Sequence, residues 1–249
     1  MASLTGKTMI VIGGSRGVGR EVVAAGHRDG ARVLAVARQQ QHLRQLAEDI
    51  SGIDTLALDA TAEDAASRVF GVLKPDILVV SAGAFPPAAP LHELGWHEFA
   101  VNWETDVKIA FHFCKAALSM PLSPGASVVL IASGAALAGS PNSGGYAGAK
   151  RMQLFMANYS QKESDRLGLG LRFLALAPRM MPDTALGRHA VAGYARYLGI
   201  PAADFIKSMS APPRASDVAT GVIELVTAKE PPKAQVFIVA GDGLEAVSG

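Results

Sequence analysis

Short, unbroken apolar runs alternate along this chain with longer stretches whose apolar residues recur every three or four positions. The first kind fits strands of a parallel sheet covered on both faces, the second helices lying against such a sheet. Runs at Lys7–Ile12, Arg32–Ala37, Thr55–Leu58, Asp76–Val80, Ser127–Ala132, Leu171–Ala177 and Gln235–Val239 predict strands. Helical stretches fall between them: after the glycines that follow Ile12 to about Asp29, about Gln40 to Ile50, up to about Leu73, Trp96 to Met120, about Tyr146 to Leu167, and Ala215 to Thr227. Residues Ala84–Pro90 read as a loop, because Pro86, Pro87 and Pro90 break any helix. Thr184–Ser210 is the least regular part and reads either as a flap over a bound molecule or as a pair of surface helices. The alternation predicts one doubly wound α/β domain, residues 1–249.

The first strand runs directly into Gly13, Gly14, Ser15, Arg16, Gly17, Val18 and Gly19. Glycines between a strand and a helix permit a tight turn, backbone approach to a pyrophosphate and close helix packing, and the helix N-terminus offers free N–H groups. Ordinary turns also use glycine; the flanking strand and helix make the nucleotide reading the stronger one. The second strand ends at Ala37 and Arg38, where proteins that prefer NAD commonly place an acid for the adenosine ribose. Arg38 and Arg16 could instead clasp a 2′-phosphate with charge-assisted bonds, which predicts NADP(H). Asp59, before Ala60, could accept the adenine amino group or cap the next helix, although Thr61 is the better cap. Ser81, Ala82 and Gly83 are small enough to let a cofactor cross the strand end.

Ser133 closes the fifth strand, Tyr146 follows thirteen positions later, and Lys150 stands four beyond that. On one helix, that spacing of four puts phenol and ammonium on the same face. A phenol ordinarily ionises near pH 10; a neighbouring cation favours phenolate and moves Tyr146 towards proton chemistry. Ser133 would have its hydroxyl free to bond a substrate carbonyl.

Composition narrows the partners. A net charge of +1 with 18% charged residues gives no argument for nucleic acid or an acidic membrane. The one cysteine, Cys114, cannot form an internal disulfide, which fits a reducing cytoplasm. No basic segment leads into a long apolar core at the start, and no run is long enough to span a bilayer, so a soluble cytoplasmic protein is expected. His92, His97 and His112 lack a cysteine or carboxylate cluster at ligand spacing, and no metal is expected. The Tyr146 helix is apolar on more than one face (Met152, Leu154, Phe155, Met156, Tyr159), as if a second subunit covers the side away from the sheet.

These residues together resemble the short-chain dehydrogenase/reductase family over nearly the whole chain. Gly13, Gly17 and Gly19 match its glycine motif, Ser133, Tyr146 and Lys150 its catalytic trio, and Asp59 its adenine-contacting acid. The resemblance implies a seven-stranded parallel sheet, a nicotinamide cofactor and a homotetramer or homodimer. It further implies that Tyr146 exchanges the proton, that Ser133 holds the substrate oxygen, and that Lys150 binds the nicotinamide ribose and eases ionisation of Tyr146. Pro178 and Thr184 fall where the family meets the nicotinamide end, with Thr184 one residue later than common. Ile12 replaces a threonine, Ser81 an asparagine, and Arg179 the glycine after Pro178. The chemically weightiest departure is Asp106, which falls on the family's catalytic asparagine; Asn102 is four residues too early. An ionised carboxylate there would oppose phenolate at Tyr146, yet could hold a relay water, so altered pH dependence is expected.

The leading reading is an NADPH-dependent carbonyl reductase, or the reverse alcohol dehydrogenase, of the 3-oxoacyl reductase type. A cofactor-sensing regulator is the alternative. Substrate walls are expected from the loops after Gly83, Ser133 and Pro178 and from residues 184–210, whose Met and Tyr content suggests an apolar ligand.

Overall fold

The computed structural model describes residues 4–120, 122–230 and 232–247. Strands β1 (Thr8–Ile12), β2 (Arg32–Ala37), β3 (Asp54–Ala57), β4 (Ile77–Val80), β5 (Ser127–Ile131), β6 (Arg172–Pro178), β7 (Val236–Ala240) and β8 (Gly243–Ala246) form one sheet in the order β3-β2-β1-β4-β5-β6-β7-β8. Every pairing through β7 is parallel; β8 alone returns antiparallel. The chain winds outward from β1 to β3, then crosses back to lay β4 on the other flank of β1. That reversal opens a crevice at the carboxyl ends of β1 and β4, where open α/β sheets bind ligands.

Alternation within each strand divides the core between two faces. Ile10, Ile12, Leu78, Val80, Val128 and Leu130 face α3 (Ala65–Val72), α5 (Lys108–Ser119) and α7 (Gly144–Arg166). Met9, Val11, Val79, Val129 and Leu176 face α1 (Gly17–Arg28), α2 (Gln40–Asp49) and α10 (Ala215–Thr227). Each such fully buried aliphatic side chain contributes roughly 1.5–3 kcal/mol relative to exposure. The continuous apolar runs in the sequence are the direct result of burial on both faces.

Three sequence expectations change in detail, and residues 184–210 take one of the two forms expected of them. The helix expected over Trp96–Met120 is interrupted: α4 (Trp96–Asn102) passes through a π turn at Trp103–Val107 before α5 begins. The wide turn inserts a residue that helical periodicity cannot register. An eighth strand follows the seven expected, because Gly241 and Asp242 form a two-residue turn between β7 and β8, paired at Ala240 and Gly243. Thr61 does not cap α3. It donates to Asp59 from its amide (2.9 Å) and its hydroxyl (2.8 Å), and α3 starts only at Ala65. Residues 184–210 form the helical pair, α8 (Ala185–Leu198) and α9 (Ala202–Lys207). α6 is a single turn at Ala135–Ala138 in the loop between β5 and α7.

Candidate active site

The glycine turn folds as the sequence requires. Gly13 has φ +87° and Gly17 has φ +53°, backbone regions that glycine occupies without a steric cost. A Cβ on Gly13 would stand 2.6 Å from the amide nitrogen of Ala82, so the β1 and β4 turns approach each other closely only because no side chain intervenes. Gly19 lies beneath them, and a Cβ there would collide with the Gly13 carbonyl. The Arg16 side chain makes no capping bond to α1, which leaves the first amides of that helix for an anion.

From this crevice a cleft of about 720 Å³ runs along the carboxyl end of the sheet. It is lined by Gly13, Ser15, Arg16, Gly17, Val18, Arg38, Asp59, Ala60, Ser81, Ala82, Gly83, Asp106, Ser133, Tyr146, Lys150, Pro178 and Thr184. Gly19, the remaining candidate of the glycine motif, is absent from these walls, and its part is packing. Ile12, Ser81 and Arg179, three of the residues that depart from the family pattern, keep the backbone frame. The Ser81 amide donates to the Ile12 carbonyl (2.8 Å), and the Arg179 amide to Val239 (2.9 Å).

At the adenosine end, hydrogen bonds from the Thr61 amide and hydroxyl hold the Asp59 carboxyl below its usual range, with Arg38 adding to the effect. Arg38 is exposed at the cleft edge. Arg16 stacks its guanidinium over the Phe85 ring, 5.3 Å from the centroid, and Phe85 in turn meets His189 edge-on at 5.9 Å.

At the other end, the Ser133 hydroxyl oxygen accepts from the Ala135 amide (3.2 Å), so its proton remains available to a ligand oxygen. Tyr146 and Lys150 lie one turn apart on α7, with the lysine Nζ 5.6 Å from the centre of the phenol ring. Lys150 is 5% exposed and Asp106 is 1% exposed, and Nζ lies 3.1 Å from Oδ2 of Asp106. Oδ1 of Asp106 accepts from the Ala84 amide (2.9 Å) and from Nδ2 of Asn102 (3.1 Å). Burial pulls the Lys150 ammonium down, but the Asp106 carboxylate and the Tyr146 oxygen more than offset this, and the lysine sits above its ordinary range. The carboxylate thus meets the lysine directly.

Two glycines make this approach possible. A Cβ on Gly145 would overlap the Phe99 carbonyl, so α4 can lie against α7 and bring the π turn down onto Lys150. A Cβ on Gly83 would come within 2.5 Å of Asp106 Oδ2.

Several lining residues lie in the segments expected to wall the cleft but were not named individually from the sequence: Asn142, Ser143, His189 and Tyr194, with Met180 and Met181. His189 Nε2 lies 2.9 Å from the Pro86 carbonyl, and the Tyr194 hydroxyl lies 2.6 Å from that of Ser140. They sit on α8 and in loops with no local motif, so only the fold brings them to the cleft. The Thr184 hydroxyl caps α8 by accepting from the Gly187 amide (2.9 Å).

A doubly wound sheet, a glycine-built crevice at its switch point and a Ser, Tyr, Lys cluster in the same cleft define a dinucleotide-binding α/β protein. Residues 7–194 match the family model described as short chain dehydrogenase, and the chain belongs to that family. L-xylulose reductase of Homo sapiens is 32% identical over 105 residues, 42% of this chain and 43% of that protein. Carbonyl reductase [NADPH] 2 of Sus scrofa is 28% identical over 109 residues, 44% of this chain and 45% of that one. The matched segments thus span about half the length of these relatives or less. A crystal structure from Brucella melitensis, described as a short-chain dehydrogenase/reductase (glucose/ribitol dehydrogenase), superimposes with a TM-score of 0.79 over 95% of this chain and 96% of its own at 21% identity, a likeness of fold.

Proposed function

We propose that this protein is an NADP(H)-dependent oxidoreductase that interconverts a carbonyl and a secondary alcohol, with Tyr146 as the proton donor and acceptor. The observation that carries the reading is the cluster of Ser133, Tyr146 and Lys150 in one cleft continuous with the glycine crevice. When bound, the nicotinamide supplies or takes the hydride. Everything else is the work of the chain. Ser133 would donate to the carbonyl oxygen, and Tyr146 would deliver to that oxygen the proton that completes the alcohol. Uncapped amides at the start of α1 fit a pyrophosphate, Asp59 an adenine amino group, and the exposed Arg38 a 2′-phosphate. The names of the reductase relatives, one of which includes NADPH, support this assignment.

The cleft beyond Ser133, walled by Met180, Met181, Leu186 and Ala190 with Asn142 and Tyr194 among them, suits a small carbonyl compound with an apolar body. Residues 184–210 would cover it. Among the described residues no helix is long and apolar enough to cross a membrane, and a cytoplasmic setting fits the single buried thiol.

The test is NADPH oxidation against ketones, 3-oxoacyl thioesters and ketoses, with NADH alongside. Turnover should fall by about 10²–10⁴ in Tyr146→Phe while NADPH binding persists. Tight NADPH binding with no turnover on any substrate would favour the sensor alternative.

A further inference from the structure

Lys150 has more partners than Tyr146. An ammonium carries three protons, and here three protein oxygens surround it: Asp106 Oδ2 at 3.1 Å, the Ile131 carbonyl at 3.1 Å and Gln153 Oε1 at 3.1 Å. Gln153 is fully buried at 0% exposure. Its other amide atom, Nε2, donates to the Asp106 main-chain carbonyl at 3.2 Å. The opposite orientation of the amide would turn its hydrogens on the ammonium, so the charge of Lys150 fixes which way Gln153 points. Standing three residues beyond Lys150 and seven beyond Tyr146 on α7, Gln153 shares their face and bridges the π turn to the lysine.

We propose that Gln153 is a positioning residue which, with Asp106, keeps the protons of Lys150 engaged on the protein and off Tyr146, so that the phenol serves as a proton donor in carbonyl reduction. The inference rests on the reading of Tyr146 as the proton-transfer residue. A phenolate gains most from a cation that can turn a proton towards it, and Gln153 takes up the proton that neither Asp106 nor Ile131 holds. The carboxylate of Asp106 also compensates the lysine charge. From α7 itself Lys150 is faced by Tyr146, from the π turn by Asp106, and from β5 by the uncharged Ile131 carbonyl. His189 of α8 lines the far wall of the cleft and is tied to Pro86.

The test needs no substrate. Ionisation of Tyr146 is followed by tyrosinate ultraviolet absorbance, with the Tyr146→Phe protein subtracted, in wild type, Gln153→Met and Gln153→Glu. Methionine has about the same length and accepts no useful bond from the ammonium, so the released N–H turns to the phenolate and Tyr146 ionises at a lower pH than in wild type. Glutamate keeps the acceptor and adds a charge, so ionisation moves to a higher pH; each shift should be about one unit. In turnover, Gln153→Met should lose reduction rate at alkaline pH and gain oxidation relative to reduction.

Shifts of opposite sign in the two variants support the positioning role. Coincident titrations, or shifts of the same sign, would overturn it in favour of simple packing. If Gln153→Met fails to fold, Gln153→Leu, which also removes the acceptor without adding a charge, takes its place: a downward shift supports the role and an unmoved titration overturns it. Opposite shifts in a protein whose wild type turns over no carbonyl would retain the role and remove the reductase reading; turnover with unmoved titrations would do the reverse.

Discussion

Asp106 Oδ2 lies 3.1 Å from the ammonium of Lys150, with both side chains nearly sealed from solvent. An asparagine at this position would offer a dipole; the carboxylate offers a full charge. Lys150 therefore has a counterion in contact with it, and its charge reaches Tyr146 already partly compensated. In Asp106→Asn the compensation is gone. The alkaline limb of the reduction profile should move to lower pH by about one unit, read from kcat against pH with NADPH saturating. An unchanged profile would mean that the carboxylate has no part in the proton chemistry.

Removing the charge without a polar replacement should be felt in stability. Asp106→Leu leaves a buried ammonium without its counterion and the Ala84 amide without its acceptor, while Asn102 Nδ2 keeps only the Ala84 carbonyl. Breaking such a pair from one side costs about 3–5 kcal/mol, and denaturant midpoints measured at neutral pH should show it. Asp106→Asn should lose less, because an amide oxygen can still accept from Lys150.

Alkaline stability should carry the signature of Lys150. Its ionisation lies above the ordinary lysine value of 10.5 in the folded protein. A base with a raised folded value binds its proton more tightly folded than unfolded. Its contribution is therefore fully present below the unfolded value and is lost as pH rises past it and through the folded one. Unfolding free energies measured from neutrality to beyond the ordinary lysine range should fall more steeply at the alkaline end in wild type than in Lys150→Met. Equal slopes would count against the raised value.

Cofactor choice should respond to Arg38. A charge-assisted bond to the 2′-phosphate contributes about 1.5–3 kcal/mol, so Arg38→Ala should weaken NADPH binding by roughly 10- to 100-fold and leave NADH nearly unchanged. Titration calorimetry with both cofactors reads the difference directly. Equal losses for the two would assign Arg38 to the adenosine in general rather than to its phosphate.

The outer face of α7 predicts an assembly. Phe155 and Tyr159 are stacked at 5.9 Å, 58% and 56% exposed, with Phe111 of α5 also half exposed. A second copy of this chain laid on this face would bury them. Light scattering should give a dimer or tetramer for wild type and a smaller species for Phe155→Glu with unchanged secondary structure. A monomeric wild type would remove the proposal.

Most of the fold was legible in the sequence because it depends on local signals. Apolar runs such as Val128–Ile131 are strands because both faces are covered, and Gly13 and Gly17 announce a turn that only glycine makes cheaply. β8 was not legible: Gly243–Ala246 is short, mostly exposed and joined by a two-residue turn, so neither burial nor period marks it. The π turn escaped for a related reason, since periodicity assumes a constant number of residues per turn. Thr61 was misread because a hydroxyl before acidic residues resembles a cap, whereas Asp59, two residues earlier, had already claimed its donors.

The sequence by itself determined the strand and helix succession, the glycine crevice and the Ser133, Tyr146, Lys150 trio, since each rests on residues close together in the chain or on spacing within one helix. Only the tertiary structure decided that Asp106 and Gln153, separated by 47 positions, close on the same lysine. That meeting depends on a π turn that rotates Asp106 inward and on Gly83 and Gly145, whose missing side chains leave room for it. No local pattern records such an encounter, because the energy of a buried charge pair is fixed by the distance between atoms and by the exclusion of water.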